Sequence, residues 1–347
     1  MKQKIKVALL VSALLSAGLG GPSQAVAAKK TEQQTSKKAV GKTVGKSSPK
    51  KTAAAPSKSL GKSTQVKTSG KSLHVAPNER KSVRRVSMVD IDPGRLALYS
   101  ASALVIDQNT GQALLEKQSD AVLPIASISK LMTAMVVLDA KLDLHDLITI
   151  GSEDVDGLKG TRSRLPVGTT MTRETAMLLA LMSSENRAAN ALGRHYPGGL
   201  PAFVHAMNKK AQSLGMYNSR FEEPTGLSSN NVSTAHDLAR MVAAAARYPE
   251  IRAASTTAEA KVELNGRITD FHNTNALVRS DNWEIGVSKT GYISEAGRCL
   301  VMQARVADKP VVIVLLDSVG KMTRVGDANR IKRWMESASL SQERRPA

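Results

Sequence analysis

The stretch that decides the fold reads PIASISKLMTAMV at residues 124–136. Apolar residues recur at helical spacing from residue 128 to residue 138, which predicts a helix over residues 127–140 that begins at Ser127. Residues three apart share one face of a helix, so we expect Lys130 one turn below the Ser127 hydroxyl. A serine next to a lysine in such a place is a candidate nucleophile with its own base.

Strand patterns occur on both sides of this helix in the sequence. The predicted strands cover residues 102–107, 113–117, 285–290, 298–307 and 311–317, the last two joined across residues 308–310. The chain has a helical pattern from about 172 to 255, and a final helix is predicted over about 324–336. The order of strands, helices, strands and helix predicts an α+β fold with one antiparallel sheet, a helical insert beside it and a cleft between them.

Three short motifs follow one another along the chain: SISK at 127–130, SEN at 184–186 and KTG at 289–291. The S-x-x-K and S-x-N patterns recur elsewhere and are weak alone, whereas KTG occurs once. The SDN tripeptide at 280–282 competes with SEN. It ends seven residues before Lys289, about 23 Å along an extended chain. We therefore expect SEN, and not SDN, to form the opposite wall of the cleft.

Longer stretches around these motifs carry a resemblance to a known family. They are the stretch at 124–136, LMSSENRAANAL at 181–192, EPTGLSSNNVSTAHDLA at 223–239 and SKTGYISEAGRCLV at 288–301. The sequence over about 97–340 resembles the low-molecular-mass penicillin-binding serine D,D-peptidases, in particular the type-7 D-alanyl-D-alanine endopeptidases. The resemblance implies a penicillin-binding-protein/β-lactamase-like α/β fold of the α+β type. Its five-stranded antiparallel sheet is flanked by helices, with an all-helical subdomain at about 140–260.

The resemblance also implies a catalytic set of Ser127, Lys130 and Ser184. Ser127 would attack the carbonyl of a D-alanine residue to form an acyl-enzyme, and Lys130 would accept the Ser127 proton. Ser184 would pass a proton to the departing amine. Lys130 must then be neutral at rest, and we expect burial and a charged Lys289 to lower its pKa.

The substrate-binding residues implied by the resemblance lie in the second and third motifs. Asn186 would hold the substrate amide and Lys130, while Lys289 and Thr290 would bind the carboxylate next to the scissile bond. Gly291 would leave room for substrate backbone along the strand. The N–H groups of the nucleophile and of Tyr292 would form the oxyanion hole.

Three further residues near these motifs give expectations that a structure can check. Glu185 is expected to point to solvent, and Arg298 is a candidate to face the cleft and help bind a substrate carboxylate. The chain has one cysteine, Cys299, and no HExxH pattern, so we expect no metal and no cofactor.

The expected partners are peptidoglycan stem peptides and crosslinks, with β-lactam antibiotics as acylating inhibitors. A D,D-carboxypeptidase is the alternative within the class, but the 56 residues after KTG leave no room for the extra β-domain of many carboxypeptidases. A β-lactamase is disfavoured because no Glu-x-x-Leu-Asn pattern occurs in the expected interval. A non-catalytic wall-binding protein is disfavoured because the motif residues are intact.

The net charge of +19 is concentrated near the N-terminus. Residues 29–85 contain thirteen lysines and three arginines against two glutamates, so the charge does not indicate nucleic-acid binding by the globular part. A basic start followed by an apolar run predicts a signal peptide over 1–27 and a periplasmic protein, with an uncleaved anchor as the alternative. Residues 28–96 are predicted to be a disordered basic linker, either a spacer or a contact to an anionic envelope surface. The peptidase domain is predicted at 97–340 and a C-terminal tail at 341–347.

Overall fold

This computed structural model describes residues 96–343. The predicted signal peptide lies outside the described residues, as do residues 28–95 of the basic linker and residues 344–347 of the C-terminal tail. Those assignments stay predictions. Among residues 96–343, no helix is both long and apolar enough to cross a membrane.

The described chain contains eleven strands and seven α-helices. The strands are β1 (Ser100–Asp107), β2 (Ala113–Lys117), β3 (Leu123–Pro124), β4 (Leu147–Thr149), β5 (Thr170–Thr172), β6 (Val232–Ser233), β7 (Glu259–Leu264), β8 (Arg267–His272), β9 (Glu284–Ile293), β10 (Gly297–Val306) and β11 (Lys309–Ser318). The helices are α1 (Lys130–Asp139), α2 (Arg173–Met182), α3 (Asn186–Arg194), α4 (Gly199–Ser213), α5 (Ala235–Ala245), α6 (Pro249–Thr256) and α7 (Thr323–Glu343).

Five strands from the two ends of the described chain form one antiparallel sheet in the order β2-β1-β11-β10-β9. The predicted sheet and fold class are therefore confirmed. The predicted turn at 308–310 is wrong by two residues, because Lys309 and Pro310 already belong to β11. The turn consists of Ala307 and Asp308, both with positive φ (47° and 59°). Two adjacent residues with positive φ match the right-handed twist of a two-residue hairpin.

Both faces of the sheet are buried. Along β11, Val312, Val314 and Leu316 pack toward the helices that follow β2 in the chain. The alternating residues Ile313 and Leu315 pack in a second core cluster with residues of α7. Strand side chains alternate between faces, so a strand covered on both sides has a continuous apolar sequence.

The helical part contains α1–α6 together with short two-stranded sheets. Helix α2 begins where the sequence predicts, because the Thr172 hydroxyl accepts from the Thr175 N–H at 3.1 Å. The hairpin of β7 and β8 has no counterpart in the sequence-based prediction. Strand β9 lies at the edge of the large sheet, next to α6 and to the turn that precedes α1. The site lies along this edge.

Candidate active site

A cavity of about 250 Å³ lies between β9 and the helical part. Its lining residues are Ser127, Thr161, Ser184, Asn186, Leu227, Thr274, Thr290, Gly291, Tyr292 and Arg324. Six of the eight residues predicted for the site are among them. The other two, Lys130 and Lys289, are fully buried next to the cavity. The structure thus brings all three sequence motifs together.

The first motif begins in a turn of 3-10 helix at Ala126–Ser129, and the α-helix proper begins at Lys130. The predicted helix start at Ser127 is therefore three residues early. Ala126 has a positive φ of 48°, and Ser184 in the second motif has one of 62°. Such a backbone costs about 1–3 kcal/mol for a residue with a side chain and is concentrated at functional sites. Both of the predicted reactive serines lie at or next to such a strained residue.

Two glycines approach the backbone before Ser127 closely. A Cβ on Gly226 would lie 1.9 Å from the Ala126 carbonyl oxygen, and one on Gly291 would lie 2.9 Å from the Ile125 carbonyl oxygen. The expected reason for Gly291 was room for substrate. The structure gives a different reason, because the nearest atoms belong to the protein's own backbone beside the nucleophile.

Lys130 makes three hydrogen bonds through its buried Nζ. It donates to Oγ of Ser127 at 2.9 Å, to Oδ1 of Asn186 at 2.7 Å and to the carbonyl oxygen of Thr225 at 2.6 Å. Burial lowers the pKa of Lys130 to about 7, although the carboxylates of Glu223 and Glu185 act in the opposite direction. Half of the lysine is thus neutral near neutral pH.

The partners of Lys130 decide where its lone pair points when it is neutral. The amide oxygen of Asn186 and the carbonyl oxygen of Thr225 can only accept, so they take the two N–H groups of the neutral amine. The third position faces the Ser127 hydroxyl, which can donate. A neutral Lys130 is therefore oriented to accept the proton of Ser127.

Lys289 lies behind Ser184 and not at the cavity surface. Its Nζ donates to Oγ of Ser184 at 2.9 Å and to the carbonyl oxygen of Thr290 at 3.0 Å. Burial holds the pKa of Lys289 well below its ordinary value, and the charges of Lys130 and Arg324 lower it further. These shifts oppose the expectation that Lys289 stays charged. Its position connects it to Ser184.

The second motif differs from expectation at its middle residue. Glu185 is buried and not exposed to solvent, because its carboxylate accepts from the Ser163 hydroxyl at 2.6 Å and from Nε of Arg164 at 2.9 Å. This contact ties the segment before α2 to the turn that carries Ser184. The neighbouring Asn186 donates through Nδ2 to the Thr161 hydroxyl at 3.0 Å.

Sequence reasoning missed three of the lining residues that contribute polar groups. Thr161 and Thr274 lie in loops without a motif, and the Thr274 hydroxyl accepts from the Thr290 hydroxyl at 2.7 Å. Arg324 comes from the first turn of α7 and donates through Nη1 to the carbonyl oxygen of Gly291 at 2.9 Å. Arg324 is a cation at the N-terminus of a helix, where the helix dipole disfavours positive charge. This unfavourable placement was the sequence feature that could have indicated a functional role.

Two other sequence candidates fall outside the cavity lining. Asp281 and Asn282 of the SDN tripeptide are exposed before β9, so the structure supports the preference for SEN. Arg298 is not part of the lining but packs on the ring of Tyr292, 4.5 Å from its centroid. Within residues 96–343, no group of three or more metal-binding side chains is placed to hold a metal ion.

Comparison with known proteins shows that the part of the chain that contains this site matches a known family. The profile of the S11 peptidases, described as D-alanyl-D-alanine carboxypeptidase, matches residues 90–320 and so includes all three motifs. The chain belongs to the S11 peptidase family. Both the predicted membership and the predicted serine D,D-peptidase class are confirmed.

Two proteins of similar sequence are both D-alanyl-D-alanine endopeptidases. A D-alanyl-D-alanine endopeptidase of Pseudomonas aeruginosa is 49% identical over 251 residues, which are 72% of this chain and 81% of the relative. One of Escherichia coli is 48% identical over 245 residues, which are 70% of this chain and 79% of the relative.

Solved structures of similar proteins share the fold. The DD-transpeptidase of Streptomyces K15 superposes with a TM-score of 0.64 at 27% identity, covering 69% of this chain and 97% of that chain. The five-stranded sheet with its flanking helices is therefore the architecture of a known D,D-peptidase fold.

Proposed function

We propose that this protein hydrolyses the peptide crosslinks of peptidoglycan as a D-alanyl-D-alanine endopeptidase, through an acyl-enzyme on Ser127. The observation that carries the mechanism is the orientation of Lys130, whose two N–H groups have acceptors in Asn186 and Thr225 while its lone pair faces the serine hydroxyl. The two similar endopeptidases support the choice of substrate.

In the acylation step the Ser127 Oγ attacks the carbonyl carbon of the D-alanine on the acyl side of the crosslink. The Ser127 proton moves to Nζ of Lys130, and the carbonyl oxygen becomes an oxyanion that the N–H groups of Ser127 and Tyr292 would stabilise. Gly291 has no side chain, so β9 can approach the nucleophile closely. A Cβ added at Gly291 would lie 3.1 Å from the Ser127 nitrogen. The Tyr292 N–H, one residue along the strand, would then share the oxyanion with the Ser127 N–H.

Collapse of the tetrahedral intermediate breaks the peptide C–N bond and requires a proton on the leaving amine. Ser184 would donate it; its hydroxyl is hydrogen-bonded to Lys289 and lines the cavity, which supports this role. Lys289 can return a proton to Ser184 from behind. Lys130 must first release the proton it took from Ser127, while Lys289 recovers the one it gave up. As a neutral amine, Lys130 can then accept a proton from the water that hydrolyses the Ser127 ester and return it to the Ser127 oxygen.

The carboxylate next to the scissile bond would bind at the cluster of Thr274, Thr290 and Arg324. All three line the cavity, and the two threonine hydroxyls contact each other at 2.7 Å. The guanidinium of Arg324 supplies the charge that buried Lys289 presents only indirectly. A guanidinium with hydroxyl donors is a common arrangement for binding a carboxylate.

Carboxypeptidase activity on uncrosslinked stem peptides is the second candidate, since the matching family profile has that description. The same residues would act, and only the leaving group would differ. β-Lactams would acylate Ser127 because they present a strained amide to the same nucleophile.

Digestion of purified muropeptides separates the two candidates. We expect the protein to convert crosslinked dimers to monomers, with products identified by mass, and to act more slowly on pentapeptide monomers. The Ser127→Ala variant should produce neither product, while Ser213→Ala, at an exposed serine that is not among the lining residues of the cavity, should behave as the native protein does. Release of D-alanine from monomers without dimer cleavage would contradict the endopeptidase proposal.

The location of this activity is also part of the proposal. The basic and apolar pattern of residues 1–27 supports export to the periplasm, where peptidoglycan lies. The basic residues of the linker support a contact to anionic envelope components.

A further inference from the structure

A second cationic group lies beside the cavity without a role in the reaction described above. Arg298 begins β10 and pairs in register with Tyr292 on β9, so both side chains lie on the same face of the sheet. Its guanidinium packs 4.5 Å from the centroid of the Tyr292 ring. The ring itself remains 56% exposed at the mouth of the cavity. Tyr292 therefore holds Arg298 next to the site.

Arg298 and Arg324 form a pair of neighbouring cations at this end of the cavity. Burial lowers the pKa of Arg324, and the charge of Arg298 lowers it further. Among the side chains described, neither guanidinium has an ion-pair partner. Glu295, in the turn between β9 and β10, is instead paired with Lys159. Two unneutralised arginines repel each other, so an anion between or beside them would be stabilised.

The proposed reaction gives these two cations different anions. Arg324 faces the carboxylate next to the scissile bond, which crosslinked and uncrosslinked stem peptides share. In a crosslink the leaving group continues into a second stem peptide, which has acid groups of its own farther from the scissile bond. In a single stem peptide, the leaving group ends at the carboxylate next to the scissile bond. A second cation just outside the cavity is useful only for the crosslinked substrate.

We infer that Arg298, held in place by the ring of Tyr292, binds a carboxylate of the second stem peptide and so selects crosslinked substrates. This inference rests on the proposed function and names a specificity-determining residue for it. The guanidinium would contact the carboxylate with paired N–H groups, which a lysine cannot reproduce in geometry. Arg298 lies in a partly exposed position outside the cavity, away from the reacting atoms. Its contact would therefore add discrimination between crosslinked and uncrosslinked substrates, while Ser127 and Lys130 carry out the chemistry.

Binding to an inactive protein tests this without requiring turnover. The probes are a crosslinked dimer with free carboxylates and the same dimer in which the acid groups of its second stem peptide are amidated, except for the carboxylate next to the scissile bond. Dissociation constants for both are measured by calorimetry with Ser127→Ala, with Ser127→Ala combined with Arg298→Gln, and with Ser127→Ala combined with Arg305→Gln. Arg305 is the matched control, since it lies near the other end of β10 and is paired with Glu284.

We expect Ser127→Ala to bind the free-acid dimer about tenfold more tightly than the amidated dimer, as for a hydrogen bond to a charged group. Arg298→Gln should reduce this ratio to about one, and Arg305→Gln should leave it unchanged. An equal ratio with and without Arg298, or no discrimination by Ser127→Ala itself, would overturn the inference. Covalent labelling of the native protein by a penicillin tests the proposed function separately.

Discussion

At the scale of single residues, the chemistry depends on how one lysine is surrounded. Lys130 is fully buried, yet its three hydrogen-bond partners satisfy its polar atoms in the neutral form. Removing water from around an ammonium ion favours loss of the proton. Burial therefore produces the base, and the acceptors in Asn186 and Thr225 orient it.

The pH dependence of acylation follows from the pKa of Lys130. The pKa lies at about 7, so the reactive neutral form increases as pH rises through 7 and is lost below it. We expect the second-order rate constant for acylation by a penicillin to fall about tenfold per pH unit below this value. Lys130→Arg keeps the charge but cannot lose a proton, so its acylation should be slower by several orders of magnitude. If the rate instead fell below a pH near the ordinary pKa of lysine, Lys130 could not be the base.

Gly226 offers a second test at the same scale. Its φ is +81°, and an added Cβ would lie 1.9 Å from the Ala126 carbonyl oxygen, so Gly226→Ala must displace the backbone next to Ser127. We expect acylation to slow by about a hundredfold or more, because a shift of about 1 Å costs that much. Gly111→Ala is the matched control, since φ there is +72° but no atom lies within 4 Å. It should lower the free energy of unfolding by about 1–2 kcal/mol and leave acylation intact.

At the scale of elements, the sheet and the capped helices could be predicted from the sequence, whereas several turns could not. Thr172 and Thr234 each cap a helix by accepting a local N–H, a pattern that is visible in sequence. The positive φ of Ala126 and Ser184 could not be predicted, because neither residue favours it alone. Contacts with residues distant in the sequence impose this backbone conformation.

The same reasoning explains which site residues were found. The three motifs are contiguous and could be identified, while Thr161, Thr274 and Arg324 reach the cavity only through folding. The burial of Glu185 also depends on a distant partner, Arg164. A local sequence pattern does not show which residues distant in the chain will pair.

Glu185 connects the second motif to the segment before α2 and also influences the base. Its carboxylate raises the pKa of Lys130, so Glu185→Gln should move the acidic limb of acylation to lower pH. Loss of the charged contacts to Ser163 and Arg164 should lower the free energy of unfolding by about 1–3 kcal/mol in urea titrations. Glu263→Gln, at an exposed position on β7, is the control and should change neither quantity. A limb that moves upward would contradict the electrostatic argument.

At the scale of the whole molecule, charge and catalysis occupy different parts of the chain. The excess of basic residues lies between 29 and 85, while every residue of the proposed site lies between 127 and 324. We therefore expect deletion of residues 29–85 to leave the turnover of small soluble muropeptides nearly unchanged.

The deleted protein should bind less tightly to isolated sacculi or to vesicles of anionic lipid. In the full-length protein that binding should weaken with added salt, because exposed charges are screened over about 10 Å at 0.1 M. Cosedimentation at two salt concentrations measures it. Loss of activity on soluble substrates would mean that the basic segment belongs to the catalytic domain.

The central claim is that Ser127 is the nucleophile of this S11 peptidase. The most direct measurement is mass spectrometry of the intact protein and its peptides after exposure to a penicillin. The account predicts one covalent adduct, located on the peptide that contains Ser127, and no adduct on a folded Ser127→Ala variant. An adduct on that variant, at Ser129 or at any other residue, would contradict the account.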